Sequence, residues 1–206
     1  MAEIRPLRPI HPLTPWEPAL AGLNAELGAA GLSIEIQDFG LATTLRMDPD
    51  GPAADVVSAV LGARVPTRPN TWTATDDGEI VWLGPDEWLV TSRRGSAHVG
   101  ERSLQALVAG PGGSAVDVSG QRVALRVRGR LARELLAFGC ALDLHPSKFP
   151  AGRSAQTTIA LAGVVLVGFG HGDDYLIHVR PSFAGHLADW LLDAAQEFRL
   201  APTGSA

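Results

Sequence analysis

The segment Asp86-Glu87-Trp88-Leu89-Val90 has a later counterpart of the same character, Asp173-Asp174-Tyr175-Leu176-Ile177. In both segments an acidic pair precedes one aromatic residue and two aliphatic residues. Acidic residues are common in turns, whereas aromatic and aliphatic residues favour strands. Each segment therefore predicts a turn that opens a strand, and the recurrence indicates that one structural unit is used twice.

The sequence upstream of each segment also matches. The first segment is preceded by Leu45-Arg46-Met47, then a predicted helix, then residues 61–66. The second segment is preceded in the same order by Leu125-Arg126-Val127, a predicted helix and residues 142–146. The copies lie about 80 to 87 residues apart, far more than the repeat of a solenoid. We therefore predict an α+β fold of duplicated strand-helix-strand units, with mostly antiparallel sheets and helices on one face.

The pattern of apolar residues and turn residues places the individual elements. Strands are predicted at residues 33–37, 42–47, 72–75, 79–83, 87–91, 115–118, 122–127, 155–161, 164–168 and 175–179. Helices are predicted at residues 19–30, 53–61, 99–109, 131–138 and 183–198.

A glycine-rich stretch at residues 110–113 separates the two units. We predict a first α+β half at 19–110 and a second at 114–200, packed as one compact domain. Within residues 1–18 a proline occurs at every third position from Pro6 to Pro18, which favours extended polyproline II structure and predicts an N-terminal arm at 1–18. The apolar residues of this arm share one side and could lie along a partner or along the chain's own domain. Residues 201–206 are predicted to form a tail.

Composition excludes several classes of protein. The net charge is −5 and the basic residues form no concentrated run, so no nucleic-acid partner is expected. Cys140 is the only cysteine, which excludes an internal disulfide and a cysteine-cluster metal site. The start has no secretory pattern, and no apolar segment has the length of a membrane span. These features predict a cytoplasmic protein with no membrane partner.

Candidate catalytic groups are few. His171 lies beside Asp173 and Asp174 in a glycine-rich turn, where a histidine and a carboxylate could act as an acid/base pair. Turn geometry alone is the favoured explanation for these glycine and aspartate residues. His178 is opposite in phase to Ile177 and its other neighbour on a predicted strand, which predicts that its side chain faces solvent.

The remaining motifs also favour structural roles. Gly168, Gly170 and Gly172 precede a strand and not a helix, so they do not form a dinucleotide fingerprint. Residues 110–114 lack the lysine and the helix of a phosphate loop, and Cys140 is expected to be buried. We predict no catalytic, cofactor-binding or metal-ligating residue on this chain.

The five tryptophans are expected to pack in the core. Trp82 and Trp88 flank one turn, however, and tryptophan is also common among the anchors of protein interfaces. Charged residues make up 19% of the chain, against an average of about 25% in globular proteins. Both features suggest that part of the surface contacts protein.

The segment Val81-Trp82-Leu83-Gly84-Pro85-Asp86-Glu87-Trp88-Leu89-Val90 resembles the signature of the sarcosine oxidase gamma subunit family. Residues 116–122 and 125–129 are similar to the same family, as are residues 142–146 together with 149–152. The similarity extends from about residue 32 to residue 195, and the proline-rich lead is the least similar part.

This resemblance implies a fold like the folate-binding aminomethyltransferase domain of the glycine cleavage T-protein, in agreement with the duplication. It also implies an accessory subunit of a four-subunit complex that oxidatively demethylates sarcosine to glycine, with hydrogen peroxide and 5,10-methylenetetrahydrofolate as products. FAD, FMN, NAD, tetrahydrofolate and zinc would belong to the other subunits, and none to this chain. The partners would be the folate-carrying alpha subunit most directly, with the beta and delta subunits.

A second function stays open at this point, that of a free-standing folate-binding protein or one-carbon (aminomethyl) transferase. A cleft between two duplicated halves is a natural ligand site. In such a cleft Asp86, Glu87, Asp173 or Asp174 could hold the ring nitrogens of a pterin.

Overall fold

A computed structural model describes residues 10–37, 40–170 and 172–200. Within these residues the chain forms two five-stranded sheets, and every pair of neighbouring strands is antiparallel. The predicted α+β class with antiparallel sheets is confirmed. The predicted tail and the first nine residues of the predicted arm lie outside the described residues.

The helices and strands have the following bounds. The strands are β1 (Ser33–Gln37), β2 (Leu41–Arg46), β3 (Trp72–Ala74), β4 (Glu79–Gly84), β5 (Glu87–Ser92), β6 (Ser114–Asp117), β7 (Val123–Arg128), β8 (Ser154–Ile159), β9 (Ala162–Gly168) and β10 (Asp174–Val179). The α-helices are α1 (Glu17–Leu27), α2 (Ala53–Leu61), α3 (Glu101–Val108), α4 (Ala132–Ala137), α5 (Pro181–Ala194) and α6 (Glu197–Leu200). Short 3-10 helices lie at Thr14–Trp16, Ala97–Val99 and Ser119–Gln121.

The two sheets follow one plan. The first sheet has the strand order β3-β4-β5-β2-β6, and the second has the order β8-β9-β10-β7-β1. Four strands of each sheet come from the same half of the chain, and the fifth, at one edge, comes from the other half. β6 pairs with β2, and β1 pairs with β7. Each half therefore completes the sheet of the other, which joins the two halves into one unit.

The sheets pack face to face, and the helices cover their outer faces. Between the sheets lies an apolar layer of Ala42, Val81, Leu89, Val165, Val167 and Leu176. A larger core lies between the second sheet and helices α1, α4 and α5, and a third lies between the first sheet and helices α2 and α3. Each sheet thus carries helices on one face, as predicted, and its other face is buried against the second sheet.

The strand registers correct the alignment of the two halves by two residues. Leu45 lies opposite Trp88 in the first sheet, and Val127 lies opposite Tyr175 in the second. Since Trp88 and Tyr175 are equivalent, Leu45 corresponds to Val127 and not to Leu125. A shift of two residues leaves every side chain on the same face of its strand, so apolar alternation cannot detect it.

The end of the proline-rich lead is helical and not extended. Thr14–Trp16 form a 3-10 helix that runs into α1, so the polyproline II prediction is wrong for these residues. Leu13 is fully buried in the core behind the second sheet, and Trp16 Nε1–H donates to Asp189 Oδ1 over 2.6 Å. Pro15 and Pro18 fall in the first turns of these helices, where a missing N–H costs no hydrogen bond, so they are compatible with helix. Among the described residues, no helix has the length and apolar character needed to cross a membrane.

Candidate functional site

A small cavity of about 60 Å³ lies between the two sheets, beside Thr91 on β5 and His178 on β10. Strands β2 and β7, next to these central strands, also line it. Protein interiors are close-packed, so a cavity at this depth marks a local departure from regular sheet packing. We call it the inter-sheet cavity.

Thr91 and His178 hold equivalent positions in the two halves, because each is the fifth residue of its strand. Each also lies opposite an alanine on the neighbouring strand, Ala42 for Thr91 and Ala124 for His178. Both alanines line the inter-sheet cavity. Their small side chains leave the space that larger residues would fill in an apolar layer.

The neighbours on the other side of these two residues differ in polarity. The Thr91 hydroxyl donates to Glu79 Oε2 over 2.7 Å and accepts the Glu79 backbone N–H over 2.9 Å. His178 lies opposite Val165, which offers no polar side chain. His178 Nε2 is buried and has no hydrogen-bond partner within the described part of the chain. The first half of the site is thus internally satisfied, and the second half is not.

Glu79 is only 2% exposed and is neutralised by Arg93, with which its Oε1 forms a salt bridge. The Arg93 side chain is 39% exposed, so it connects the buried carboxylate to the surface. Burial, followed by the positive charge of Arg126, lowers the pKa of Arg93. The guanidinium stays charged at neutral pH because its ordinary pKa is so high.

The prediction that His178 faces solvent is wrong, since the residue is only 5% exposed. Burial, together with the positive charges of Arg122 and Arg93, lowers its pKa to about 4. The imidazole is therefore neutral at neutral pH and can donate one hydrogen bond and accept another. Leu176, on the same side of β10, is apolar, and a strand that is apolar on both faces is usually buried on both. The apolar Leu176 was therefore the feature of the sequence that could have predicted the burial of His178.

Arg122 is a further charged residue that lines the inter-sheet cavity. No salt bridge to Arg122 occurs among residues 10–37, 40–170 and 172–200. Burial, followed by the positive charge of Arg180, lowers its pKa, and Glu87 opposes this shift more weakly. Arg122 is consequently a half-buried cation without a close counter-ion in the described structure.

The polar groups around the cavity offer hydrogen bonds and charge to a ligand. The hydroxyls of Thr91 and Ser119 are engaged with neighbouring groups, Ser119 with the Asp117 carboxylate over 2.6 Å and the Ala42 N–H over 2.9 Å. In the part of the chain that is described, no group of three His, Cys, Asp or Glu side chains could hold a metal ion.

The acidic residues considered for pterin binding do not line the inter-sheet cavity. Asp86 and Asp174 form ion pairs with arginines, over 2.9 and 2.7 Å. Glu87 is half-buried and Asp173 is exposed. The two acidic pairs serve mainly as the starts of β5 and β10.

The other candidates have structural positions where they are described. Cys140 is buried, as predicted. Trp88 is fully buried and its Nε1–H donates to the Pro66 carbonyl over 2.7 Å, while Trp82 is partly buried against the same core. His171 lies outside the described residues, and its acid/base role stays a prediction.

An apolar surface lies at the tip of the β8–β9 hairpin. Ala160 and Leu161 join Ile159 to Ala162 in a two-residue turn, with φ values of 49° and 68°. Residues other than glycine seldom adopt positive φ, and such turns usually contain Asn-Gly. Leu161 is nevertheless 90% exposed. An unfavourable turn thus presents a large apolar side chain to the surface.

Two exposed phenylalanines lie close in the chain to residues that this turn contacts. Ala160 N–H donates to the carbonyl of Gly139 over 3.1 Å, next to Phe138, which is 53% exposed. His186 Nε2 lies 2.6 Å from the Ala160 carbonyl oxygen, and Phe183, about one turn earlier on α5, is 45% exposed. We define the tip patch as Phe138, Leu161 and Phe183.

Comparison with known proteins identifies the family. Residues 46–197 match the model of the sarcosine oxidase, gamma subunit family. The chain belongs to this family. The sarcosine oxidase subunit gamma of Arthrobacter sp is 32% identical over 87% of this chain and 88% of its own length. The sarcosine oxidase subunit gamma of Corynebacterium sp. (strain P-1) is 30% identical over 89% of this chain and 90% of its own length.

Solved structures agree with this assignment to the gamma subunit family. A chain of the heterotetrameric sarcosine oxidase from Corynebacterium sp. U-96, in complex with pyrrole 2-carboxylate, matches with a TM-score of 0.80 and 27% identity. The match covers 95% of this chain and 99% of that one. The glycine cleavage system aminomethyltransferase T from Bartonella henselae matches with a TM-score of 0.60 and 14% identity, over 79% of this chain and 45% of that one. This second match confirms the expected fold.

Proposed function

We propose that this chain is a non-catalytic structural subunit of a heterotetrameric sarcosine oxidase. The observation that carries the proposal is membership of the gamma subunit family, together with a structural match over 95% of the chain. The complex would oxidatively demethylate sarcosine to glycine and form hydrogen peroxide and 5,10-methylenetetrahydrofolate. FAD, FMN, NAD, tetrahydrofolate and zinc would be bound by the other subunits, and the complex would be cytoplasmic.

The size of the inter-sheet cavity supports a structural role over folate binding. Sites for small molecules usually enclose about 300–1,000 Å³, whereas this cavity has about 60 Å³. The four acidic residues considered for pterin binding also lie outside it. Together with membership of the gamma subunit family, this favours the subunit over a free-standing folate-binding protein or aminomethyl transferase.

The tip patch supports docking on a partner subunit, which we propose to be the folate-carrying alpha subunit, with the beta and delta subunits in the same complex. Strained backbone costs stability, and it persists where the surrounding structure or a function maintains it. Leu161 combines positive φ with 90% exposure, so its side chain contributes little to the stability of the isolated chain. A partner that covers the leucine would offset this cost, since apolar burial stabilises by about 25 cal/mol per Å².

Co-expression with the neighbouring subunits, followed by purification through a tag on this chain, tests the proposal. We expect the folate-carrying subunit to co-purify in a stable complex. Leu161→Gly should reduce its recovery at least about tenfold, which corresponds to roughly 1.4 kcal/mol of binding energy. Glycine suits the positive φ of the turn, so misfolding would not explain such a loss.

Val56→Ala is a matched control, because Val56 is 48% exposed on α2 in the other half. This control should leave recovery unchanged. Recovery of only a free, stable monomer would contradict the subunit role. Equal recovery with Leu161→Gly would remove the tip patch from the interface and leave the subunit role intact. Saturable, micromolar binding of tetrahydrofolate to the isolated chain, followed by tryptophan fluorescence, would favour the alternative function.

A further inference from the structure

Two groups with hydrogen-bond donors line the inter-sheet cavity without a partner among the described residues. The acceptor oxygens of Glu79 are engaged by Arg93 and by Thr91. On the donor side, Arg122 forms no salt bridge and His178 Nε2 has no hydrogen-bond partner within the described residues. A guanidinium carries five N–H donors and a neutral imidazole carries one. These free donors favour a ligand that accepts hydrogen bonds.

The charge of the inter-sheet cavity favours the same kind of ligand. Glu79 neutralises Arg93, whereas Arg122 has no counter-ion within salt-bridge distance among the described residues. His178 does not add a positive charge at neutral pH, because burial and the two arginines hold its pKa near 4. Among the described residues that line the cavity, the excess is thus one positive charge, which a single negative charge would balance.

The size of the inter-sheet cavity limits the ligand further. A buried water molecule needs about 10–15 Å³ of such space, and the volume is about 60 Å³. The ligand consequently has only a few heavy atoms. Aromatic acids, nucleotides and folates are too large.

We propose that the inter-sheet cavity binds a small carboxylate monoanion, of the size of formate or acetate, between Arg122 and His178. The carboxylate accepts N–H bonds from the Arg122 guanidinium and one N–H bond from the neutral imidazole of His178. Bonds between a guanidinium and a carboxylate are among the stronger hydrogen bonds in proteins. This site belongs to the chain itself and does not depend on its role in a complex.

Thermal unfolding of the full-length chain tests the site with sodium formate and sodium acetate. Sodium benzoate is the control salt, since it has the same charge and carboxylate but is too large. The total salt concentration is kept constant while formate or acetate replaces benzoate. At an anion concentration ten times the Kd, we expect Tm to rise by about 3 to 6 °C, and each further tenfold increase in concentration should add a similar increment.

Arg122→Gln should abolish this rise in Tm, and isothermal titration with acetate should lose its heat of binding in the same variant. Arg122 is half-exposed, so the substitution should leave the fold intact. Arg64→Gln is the matched control, because Arg64 is exposed and does not line the cavity; it should respond like the parent chain. A response to acetate no greater than to benzoate, or an undiminished response in Arg122→Gln, would mean that water alone occupies the cavity and would overturn the proposal.

Discussion

The β3–β4 and β8–β9 hairpins occupy equivalent places in the two halves, but their turns differ in polarity. In the turn between β3 and β4, Asp77 is 8% exposed and accepts hydroxyl bonds from Ser92 and Ser96 over 2.8 and 2.7 Å. Burial raises the pKa of Asp77, but the bonds from Ser96 and Ser92, the backbone N–H of Arg94 and the positive charge of Arg94 together hold this pKa below its ordinary value. The turn between β8 and β9 instead exposes Leu161 at positive φ.

The same contrast occurs between the sheets. Thr91 is bonded to Glu79 in the first half, whereas His178 lies opposite an apolar valine in the second. The first half therefore satisfies its own polar groups, and the second half leaves groups that a ligand or a partner can satisfy. In a duplicated fold, equivalent positions with different bonding thus identify candidate functional groups without any catalytic motif.

The largest expected effect concerns the two aromatic residues that open β5 and β10. Trp88→Ala should lower the free energy of unfolding by about 3–5 kcal/mol, because it removes a fully buried ring. Tyr175→Phe keeps its ring and loses only a long 3.5 Å bond to the Leu144 carbonyl, so it should cost less than about 1 kcal/mol. Urea unfolding of both variants measures the difference. Equal losses would mean that the Tyr175 hydroxyl contributes as much to stability as the entire Trp88 ring, which would contradict this expectation.

Acid should destabilise the second half through His178. Its pKa is lowered from 6.5 to about 4 in the folded chain, so the unfolded chain binds the proton first as pH falls. The free energy of unfolding is therefore highest above pH 6.5 and falls as the pH is lowered from 6.5 to about 4. Protonation of His178 accounts for a decrease of about 3 kcal/mol in this free energy. His178→Gln should flatten the curve in this window, and His98→Gln, at an exposed position, should not. An unchanged slope in His178→Gln would contradict the assignment.

The polar pair in the first half can be compared directly with its apolar counterpart. Thr91→Val removes a hydroxyl that bonds Glu79 twice and should cost about 2 kcal/mol, because a buried acceptor loses its partner. Val165→Thr places a hydroxyl opposite His178 and should change stability by less than about 1 kcal/mol. Urea unfolding measures both effects. A larger loss for Val165→Thr than for Thr91→Val would reverse the comparison.

The smallest effect is expected at the hairpin tip, and it has the opposite sign. Leu161→Gly should raise the free energy of unfolding of the isolated chain by about 1 kcal/mol, because glycine adopts positive φ without steric cost. Leu161→Ala keeps the Cβ atom that causes the steric cost and should change stability little. Thermal unfolding of the isolated variants measures the gain. A loss of stability in Leu161→Gly would mean that the leucine packs on its own chain.

Many element bounds could be predicted because their signals are local. The predicted helix at 53–61 and the predicted strand at 33–37 match α2 and β1. Gly62, with φ of 67°, ends α2 where only a residue tolerant of positive φ is favourable. The predicted helix at 99–109 is interrupted, because Gly100 is extended and separates a 3-10 turn from α3.

The inter-sheet cavity could not be predicted in the same way. The alternation in β10 was assigned correctly, but alternation shows only which residues share a face and not what covers that face. His178 is buried because the second face of its sheet packs on the other sheet. Arg122 and Thr91 come together there from different halves, a juxtaposition with no signal along the chain.

Turn residues, apolar periodicity and a characteristic segment are properties of neighbouring residues, so the local elements, the duplication and the resemblance to the gamma subunit family follow from the order of the amino acids. The exchange of β1 and β6 between the sheets, the burial of His178 and the position of the tip patch arise only in the folded chain. Strand pairing and sheet packing join residues that are far apart in the chain, so these features have no local signal. Local preferences are compatible with several such arrangements, and the burial of the two sheet faces against each other selects one of them.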